Sequence, residues 1–223
     1  IITMTEINVC PSTLQEGFTT YSPDALKTLF DGKKVSHILD FDSPNNESAD
    51  NMEYAQNVGR ISLSGVQPKA SLILNADGQL ARPSENEHGT YILKPAPSSY
   101  ALIDRKYCPA NEHLTMQLAR QVYHIETASN ALCFFRDGEA AYLCRRFDVG
   151  PDGSKYQQED FASLAGLTSA NGGSDYKYSN LSYEECADII RRYVKASPVE
   201  ILKFFRIVAF NYLTLNDDAH LKH

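Results

Sequence analysis

The hydrophobic period of this chain changes partway along it, and that change restricts the fold more than any single residue does. From Ile61 to Phe147 apolar and polar residues mostly alternate, in short runs that end at Gly, Pro, Asn or Asp; after Gln157 the apolar residues recur at helical spacing. Alternation puts one face of a strand in a core, and a period of about 3.6 residues does the same for one stripe of a helix. Strands first and helices after predict an α+β protein. The expected division is a β-rich lobe over residues 1–147 and a helical lobe over residues 148–223, the latter incomplete at its C-terminal end.

Within the first part, Ile61 and Leu63 alternate with Ser62 and Ser64, "GVQPK" interrupts, "ASLILN" resumes, "ADG" turns and "TYILKP" closes the run. This is the pattern of an antiparallel meander. "PANEHLTMQLARQVY" reads as a helix with Leu114, Leu118 and Val122 on one stripe. "ALCFF" and "AAYLCRRF" flank "RDGE" as a second hairpin. Upstream, Ser22 is placed to cap a short helix that has Pro23 at its start and runs from Ala25 to Phe30. "DSPNNESADN", residues 42–51, reads as a polar linker, with the ordered core expected from about Tyr54.

The second part opens with a Gly/Ser/Asn stretch, "SANGGSDYKYSN", expected to be a mobile loop. Two helix starts follow, Ser182 with Glu185 and Ser197 with Pro198 and Glu200, both in the Ser-x-x-Glu frame of a capping box. The second helix, "SPVEILKFFRIVAFNYLTL", is apolar over most of its circumference and is expected to run through the centre of its lobe. It delivers the polar string "NDDAHLK" to the end of that support.

Composition excludes several classes of function. A net charge of −7 over 223 residues does not supply the clustered Lys and Arg that phosphate contacts along a nucleic acid require. Direct nucleic-acid binding is not expected. Five cysteines, widely spaced and without a Cys-x-x-Cys pair, fit reduced thiols and a cytoplasmic protein rather than a disulfide framework or a zinc site. No apolar run has the length of a membrane span, and the N-terminus lacks the order of a signal peptide.

The polar anchors carry the chemistry. Gly65 lies in a loop between two strands, so a Walker phosphate loop, which needs a helix after it, is excluded. Two readings remain for "SLSGVQPK": a plain hairpin, or a backbone flap over nucleotide phosphates of the kind protein kinases use. Lys94 ends a strand one hairpin later, either reaching into water or neutralising phosphates. Glu112, near the start of the next helix, either favours the helix dipole or holds Lys94 as an ion pair. Arg145, Arg146, Phe147 and Asp148 follow the second hairpin, as a surface charge cluster or as the place where a kinase presents backbone groups to adenine. Asp218, His220 and Lys222 follow the apolar helix. There an aspartate can take the proton of an attacking hydroxyl and a lysine can offset charge on a transferred phosphoryl group.

Six motifs in order, "SLSGVQPK", "YILKPAP", "NEHLTMQLAR", "RRFD", "QQEDFASLAG" and "FFRIVAFNYLTLNDDAHLK", closely resemble the HipA-like serine/threonine kinases, toxins of bacterial toxin–antitoxin operons. The resemblance covers residues 54–223 and implies a two-lobed protein-kinase-like fold with ATP and Mg²⁺ as cofactors. It implies that Ser64, Gly65, Val66 and Gln67 form a flap over the phosphates, with Lys69 in the same loop. Lys94 would touch the phosphates, with Glu112 as its partner. Residues Arg145, Arg146 and Phe147 would be the adenine hinge and Asp148 would lie near the ribose. Asp218 would be the catalytic base, supported by His220 and Lys222. Ser62 and Ser64 occupy the family's autophosphorylation positions, where a dianionic phosphate would compete with ATP. The short N-terminal region and the Ser-x-Ser pair look more like the compact HipT branch, whose missing subdomain is a separate small protein, here called HipS-like.

Two departures bear on activity. The family continues "HLK" with an asparagine that ligates Mg²⁺, whereas His223 stands here, and a later metal-holding aspartate does not occur in these residues. Histidine is a poor replacement for an oxygen ligand of Mg²⁺. The metal ligands are unassigned, and these residues alone predict an impaired catalyst, with a continuation past His223 or a tag as the alternatives. Three functions follow. The first is a toxin kinase acting on a translation component such as an aminoacyl-tRNA synthetase, beside an antitoxin with a helix-turn-helix domain. The second is a catalytically silent nucleotide- or partner-binding module, and the third a regulatory subunit of an antitoxin–operator complex.

Overall fold

The computed structural model describes residues 8–45, 69–84, 87–97, 104–178 and 181–222. The expected flap, with Ser62, Ser64, Gly65, Val66 and Gln67, lies outside the described residues. The backbone groups into two compact units, Ile1–Leu118 with Glu126–Lys155, and Ala119–Ile125 with Tyr156–His223.

Among the described residues the first unit is built on five antiparallel strands, β1 (Ala70–Leu74), β2 (Leu80–Ala81), β3 (Tyr91–Pro95), β4 (Asn130–Phe134) and β5 (Ala140–Arg145), in the order β2-β1-β3-β5-β4. Along β3 burial alternates: Tyr91, Leu93 and Pro95 are buried, while Ile92 and Lys94, on the other face, are partly exposed. Where β1 meets β3 the backbones come close. A Cβ on Gly89 would lie 1.8 Å from the Ser71 hydroxyl oxygen, so only glycine fits there.

The core face of the sheet is covered by the N-terminal segment. Cys10, Tyr21, Leu29, Phe30, Val35 and Leu39 form one buried cluster with Leu72, Leu93 and Leu143. Each large apolar side chain so buried contributes about 1.5–3 kcal/mol. Helix α1 (Pro23–Phe30) starts as expected, with Ser22 Oγ accepting the Ala25 amide at 3.2 Å. The Tyr91 hydroxyl then ties β3 to the end of α1 through the Leu29 carbonyl at 2.9 Å. The ordered core therefore begins near Cys10, well before Tyr54. Its upstream residues come from loops and two helical turns, so they show no period. The start of the polar linker is also anchored, by the Ser43 amide on Asp137 at 3.0 Å and the Asn45 side chain on Glu139 at 3.0 Å.

Helix α2 (Cys108–Gln121) follows a single 3₁₀ turn, Arg105–Tyr107. The expected apolar stripe is not its inward face: Leu114, Leu118 and Val122 are exposed. Two polar residues point inward instead. His113 and Gln117 are buried, and their side chains meet the Asn130 carboxamide oxygen on β4 at 2.8 and 3.0 Å. Hydrogen bonding to a buried acceptor, rather than apolar burial, sets the rotation of this helix.

The second unit holds α3 (Phe161–Leu164), α4 (Ser169–Gly172), α5 (Tyr183–Tyr193) and α6 (Ser197–Leu213). The box at α5 forms as expected, Ser182 Oγ accepting the Glu185 amide and the Glu185 carboxylate accepting the Ser182 amide. The second box does not. Ala196 is the residue before α6, its carbonyl accepts the Val199 and Glu200 amides, and Ser197 is already helical. Helix α6 also departs from the expected central position. Phe210 is its buried residue, Phe204 packs in a cluster with Ala162, Cys186 and Leu221, and Val199, Leu202, Phe205, Tyr212 and Leu213 are exposed. A short partner such as α5 covers only one side of a helix that is apolar nearly all round. The stretch expected to be mobile is structured in its described part: the Asn171 side chain bonds the Thr168 amide at 2.8 Å and the Gly166 carbonyl at 2.9 Å, and a 3₁₀ turn spans Tyr176–Tyr178. Among the described residues no helix is long and apolar enough to cross a membrane.

Candidate functional site

Two groups of candidate side chains form, one in each unit. In the first, the alternation of β3 turns Lys94 away from the core face, and α2 carries Glu112 to it: the ammonium and carboxylate are 2.5 Å apart, at 24% and 30% side-chain exposure. Tyr142, directly across on β5, lies under the ammonium at 5.4 Å from Nζ to ring centroid. Lys69, at the start of β1, feels both groups. Burial, and then the like charge of Lys94, hold its pKa below the ordinary lysine value, and Glu112 opposes them. Two ammonium groups and one carboxylate leave this face with an excess positive charge, which suits a phosphate.

The charged residues at the end of β5 are engaged in ion pairs. Arg145 makes a two-pronged pair with Asp31, the left-handed cap of α1, at 2.7 and 2.9 Å. Arg146 makes a second such pair with Asp148 at 2.8 and 2.6 Å. These hydrogen bonds hold the Asp148 carboxyl below the usual aspartate range against the opposing effect of its burial, with Lys155 adding to the shift. Phe147, between them, is 70% exposed and presents its ring to solvent. Arg145 therefore ties the end of β5 to the end of α1 and Arg146 braces its own turn, and Phe147 is the member of this group left as an open apolar surface.

In the second unit, the loop after α6 is tied down at Leu221, which is buried and whose carbonyl accepts the Ala162 amide at 3.2 Å. Asp218 is exposed; its Oδ1 accepts the Tyr178 hydroxyl at 2.8 Å. The His220 ring stands nearly perpendicular to Tyr178, centroids 5.3 Å apart, and its Nδ1 accepts the Lys222 amide at 3.2 Å. Lys222 Nζ lies 3.2 Å from Asp160 Oδ2 and 3.3 Å from the Tyr176 hydroxyl, contacts that raise its pKa. An apolar pocket of about 400 Å³ adjoins the loop, with Phe161, Cys186, Phe204 and His220 in its wall.

The structure thus brings together Lys94, Glu112 and Lys69 in one group and Asp218, His220 and Lys222 in another. Sequence reasoning had given no role to Asp160, Tyr176 or Tyr178. Asp160 caps α3 by accepting the Ser163 amide at 2.7 Å, a place its sequence position before "FASL" is compatible with; the two tyrosines carry no such signal. No group of three His, Cys, Asp or Glu residues able to hold a metal occurs among the described residues. Mg²⁺ takes about six oxygen ligands in tight geometry. Side-chain carboxylates supply only about one or two of these, beside nucleotide phosphates and waters, and the metal ligands stay unassigned among the described residues.

An antiparallel sheet followed by helices makes the fold α+β, and a strand lysine paired to a helix glutamate is an arrangement that protein kinases also use. The sequence pattern of the HipA-like C-terminal domain matches residues 61–223, and the chain belongs to that family. It is 27% identical over 219 residues to a Haemophilus influenzae protein named "Putative kinase", covering 96% of this chain and 60% of the relative. It is 28% identical over 195 residues to "Putative kinase Y4dM" of Sinorhizobium fredii, covering 82% and 44%. Among solved structures it resembles HipA in the complex of the Shewanella oneidensis MR-1 toxin–antitoxin system HipA and HipB with operator DNA. There the identity is 26% and the TM-score 0.51, over 73% of this chain and 39% of that one. The chain spans about 60% of the length of the Haemophilus relative.

Proposed function

We propose that the full-length protein is an ATP-dependent protein serine/threonine kinase and the toxin of a toxin–antitoxin pair. The observation that carries this reading is the Lys94–Glu112 pair: a strand lysine held by a helix carboxylate, with the second ammonium of Lys69 close by. Lys94 and Lys69 neutralise nucleotide phosphates, and Glu112 keeps Lys94 in place. The flap Ser64, Gly65, Val66, Gln67 covers the phosphates from above. Phe147 and the backbone around Arg145 and Arg146 receive the adenine, with Asp148 ordering the hinge beside the ribose. Asp218 takes the proton of the acceptor hydroxyl, and His220 and Lys222 hold its loop. The boundary between the β-rich and helical lobes lies near residue 147.

The finer parts of the reading rest on the same resemblance. Ser62 and Ser64 are autophosphorylated, the protein belongs to the HipT branch with a HipS-like companion, and the acceptor is a translation component such as an aminoacyl-tRNA synthetase. The complex of the Shewanella relative with HipB and operator DNA supports an antitoxin as partner; a helix-turn-helix domain on that antitoxin rests on the resemblance alone. A cytoplasmic location follows from such a substrate. The second reading is a silent nucleotide-binding module that keeps the phosphate contacts and transfers nothing.

The two readings separate on Asp218. In the full-length protein Asp218→Asn keeps shape but removes the base, so phosphoryl transfer from ATP falls by about 100-fold or more while ATP binding persists. Asp217→Asn, one position off, leaves transfer largely intact. Transfer that survives Asp218→Asn and is lost in Asp217→Asn overturns the register of the loop. No transfer in any variant favours the silent module.

A further inference from the structure

Three consecutive residues clasp the loop that carries Asp218. The Tyr176 hydroxyl lies 3.3 Å from Lys222 Nζ, the Lys177 carbonyl accepts the Leu221 amide at 3.0 Å, and the Tyr178 hydroxyl donates to Asp218 Oδ1 at 2.8 Å. The segment is itself closely placed. A Cβ on Gly172 would lie 2.6 Å from Tyr176 Cβ, so the short helix before the turn and the turn itself are in near contact. The Tyr178 ring rests edge-on against His220, which fixes the direction from which the hydroxyl reaches the carboxylate.

We propose that Tyr178 is a positioning residue for the base: its hydroxyl holds one oxygen of the Asp218 carboxylate and so fixes the plane in which the other meets the acceptor hydroxyl. This rests on the kinase reading of Asp218. A general base must sit within about 2.6–3.2 Å of the proton it takes, so whatever holds one carboxylate oxygen bears on where the other points. A tyrosine has only two side-chain torsions, and here its ring and the neighbouring backbone are both tied to the loop. It is a stiff strut. A rival geometry uses the same hydrogen bond: the Tyr178 hydroxyl stands where an acceptor hydroxyl would, and blocks it. The two differ in sign, because removing a strut slows transfer and removing a block speeds it. The contacts from Tyr176, Lys177 and Tyr178 all bind the segment to the loop, which favours the strut.

The test uses the full-length protein with ATP and Mg²⁺, with casein as a generic acceptor and the protein itself as the second. Tyr178→Phe keeps the ring on His220 and loses only the hydroxyl. It is expected to lower kcat about ten-fold, with KM for ATP, the calorimetric ATP affinity and the melting temperature unchanged. Tyr178→Leu, which also removes the ring, lowers kcat at least as far. Tyr183→Phe, on an exposed residue at the start of α5, serves as the control and changes nothing. An unchanged or raised kcat in Tyr178→Phe overturns the proposal, a raised one in favour of the block. Asp218→Asn in the same assay tells the two failures apart. If it still transfers phosphate, the assignment of the base is wrong and the proposal falls with it; if it does not, the result for Tyr178 stands alone.

Discussion

Lys94→Ala is the sharpest perturbation of the proposed phosphate site. It removes an ammonium held 2.5 Å from Glu112 and leaves that carboxylate facing the nucleotide without its nearest cation. A hydrogen bond from a charged donor to a phosphate is worth about 1.5–3 kcal/mol. The orphaned carboxylate adds repulsion: at about 5 Å and an effective dielectric of about 20 two unit charges interact by about 3 kcal/mol. Both side chains are a quarter to a third exposed, so screening reduces this to about 1 kcal/mol. The sum, about 3 kcal/mol, is a loss of about 100-fold or more in ATP affinity. Lys94→Ala combined with Glu112→Ala removes the repulsion as well as the attraction and recovers about five-fold. Glu112→Gln alone keeps the ammonium and loosens its position, at a loss of less than about ten-fold. Titration calorimetry with a non-hydrolysable ATP analogue measures all four proteins. An unchanged affinity in Lys94→Ala, or a double variant that binds more weakly than the single one, refutes the reasoning.

Three further outcomes are expected. Replacing Ser62 and Ser64 together by Asp weakens ATP binding by about three- to ten-fold relative to replacement by Ala, because only Asp adds negative charge beside the phosphates; equal affinities leave the serines as ordinary hairpin residues. Asp148→Asn lowers stability at neutral pH by about 2–3 kcal/mol, read in urea melts, because Arg146 loses its partner in a pair that is 15% and 9% exposed. The Asp148 carboxyl titrates below its ordinary 3.8, so its contribution is present above that pH and fades as pH falls through the lower folded value; a gap between the two proteins that closes already near pH 6 contradicts this. Gly172→Ala puts a Cβ 2.6 Å from Tyr176 Cβ, so it lowers the melting temperature and kcat together, and a neutral effect shows that the clasp does not need this contact.

The parts of the fold that were legible before the structure share one property, a short-range signal. Strand alternation gave β1, β3, β4 and β5, and the Ser-x-x-Glu frame gave the start of α5, because both depend on residues a few positions apart. The Lys94–Glu112 pair was visible as a strand end followed by a helix start. What stayed hidden depends on distant partners. Cys10, Tyr21 and Val35 lie in the core without any period because a loop, not a regular element, brings them there. Arg145 reads from sequence as part of a surface charge cluster or of an adenine hinge, and its ion-pair partner Asp31 lies 114 residues earlier, beyond the reach of any short-range pattern. The inward face of α2 was misread because a buried asparagine oxygen outweighs an apolar stripe. Helix α6 shows the reverse error, since an apolar circumference states what a helix can bury and not what covers it. Tyr178 was hidden by composition, in a Gly, Ser and Asn stretch that reads as mobile although its hydroxyl meets the candidate base.

A protein in which Lys94 contacts nucleotide phosphates and Asp218 serves as base should carry phosphoryl groups of its own making. Intact-mass spectrometry of the full-length protein after incubation with ATP and Mg²⁺, followed by peptide mapping, tests it most directly. The account predicts added phosphoryl groups on Ser62 or Ser64 in the wild type and none in Asp218→Asn or Lys94→Ala. An unmodified wild-type protein that transfers no phosphate to itself or to casein, or equal modification of all three proteins, contradicts it.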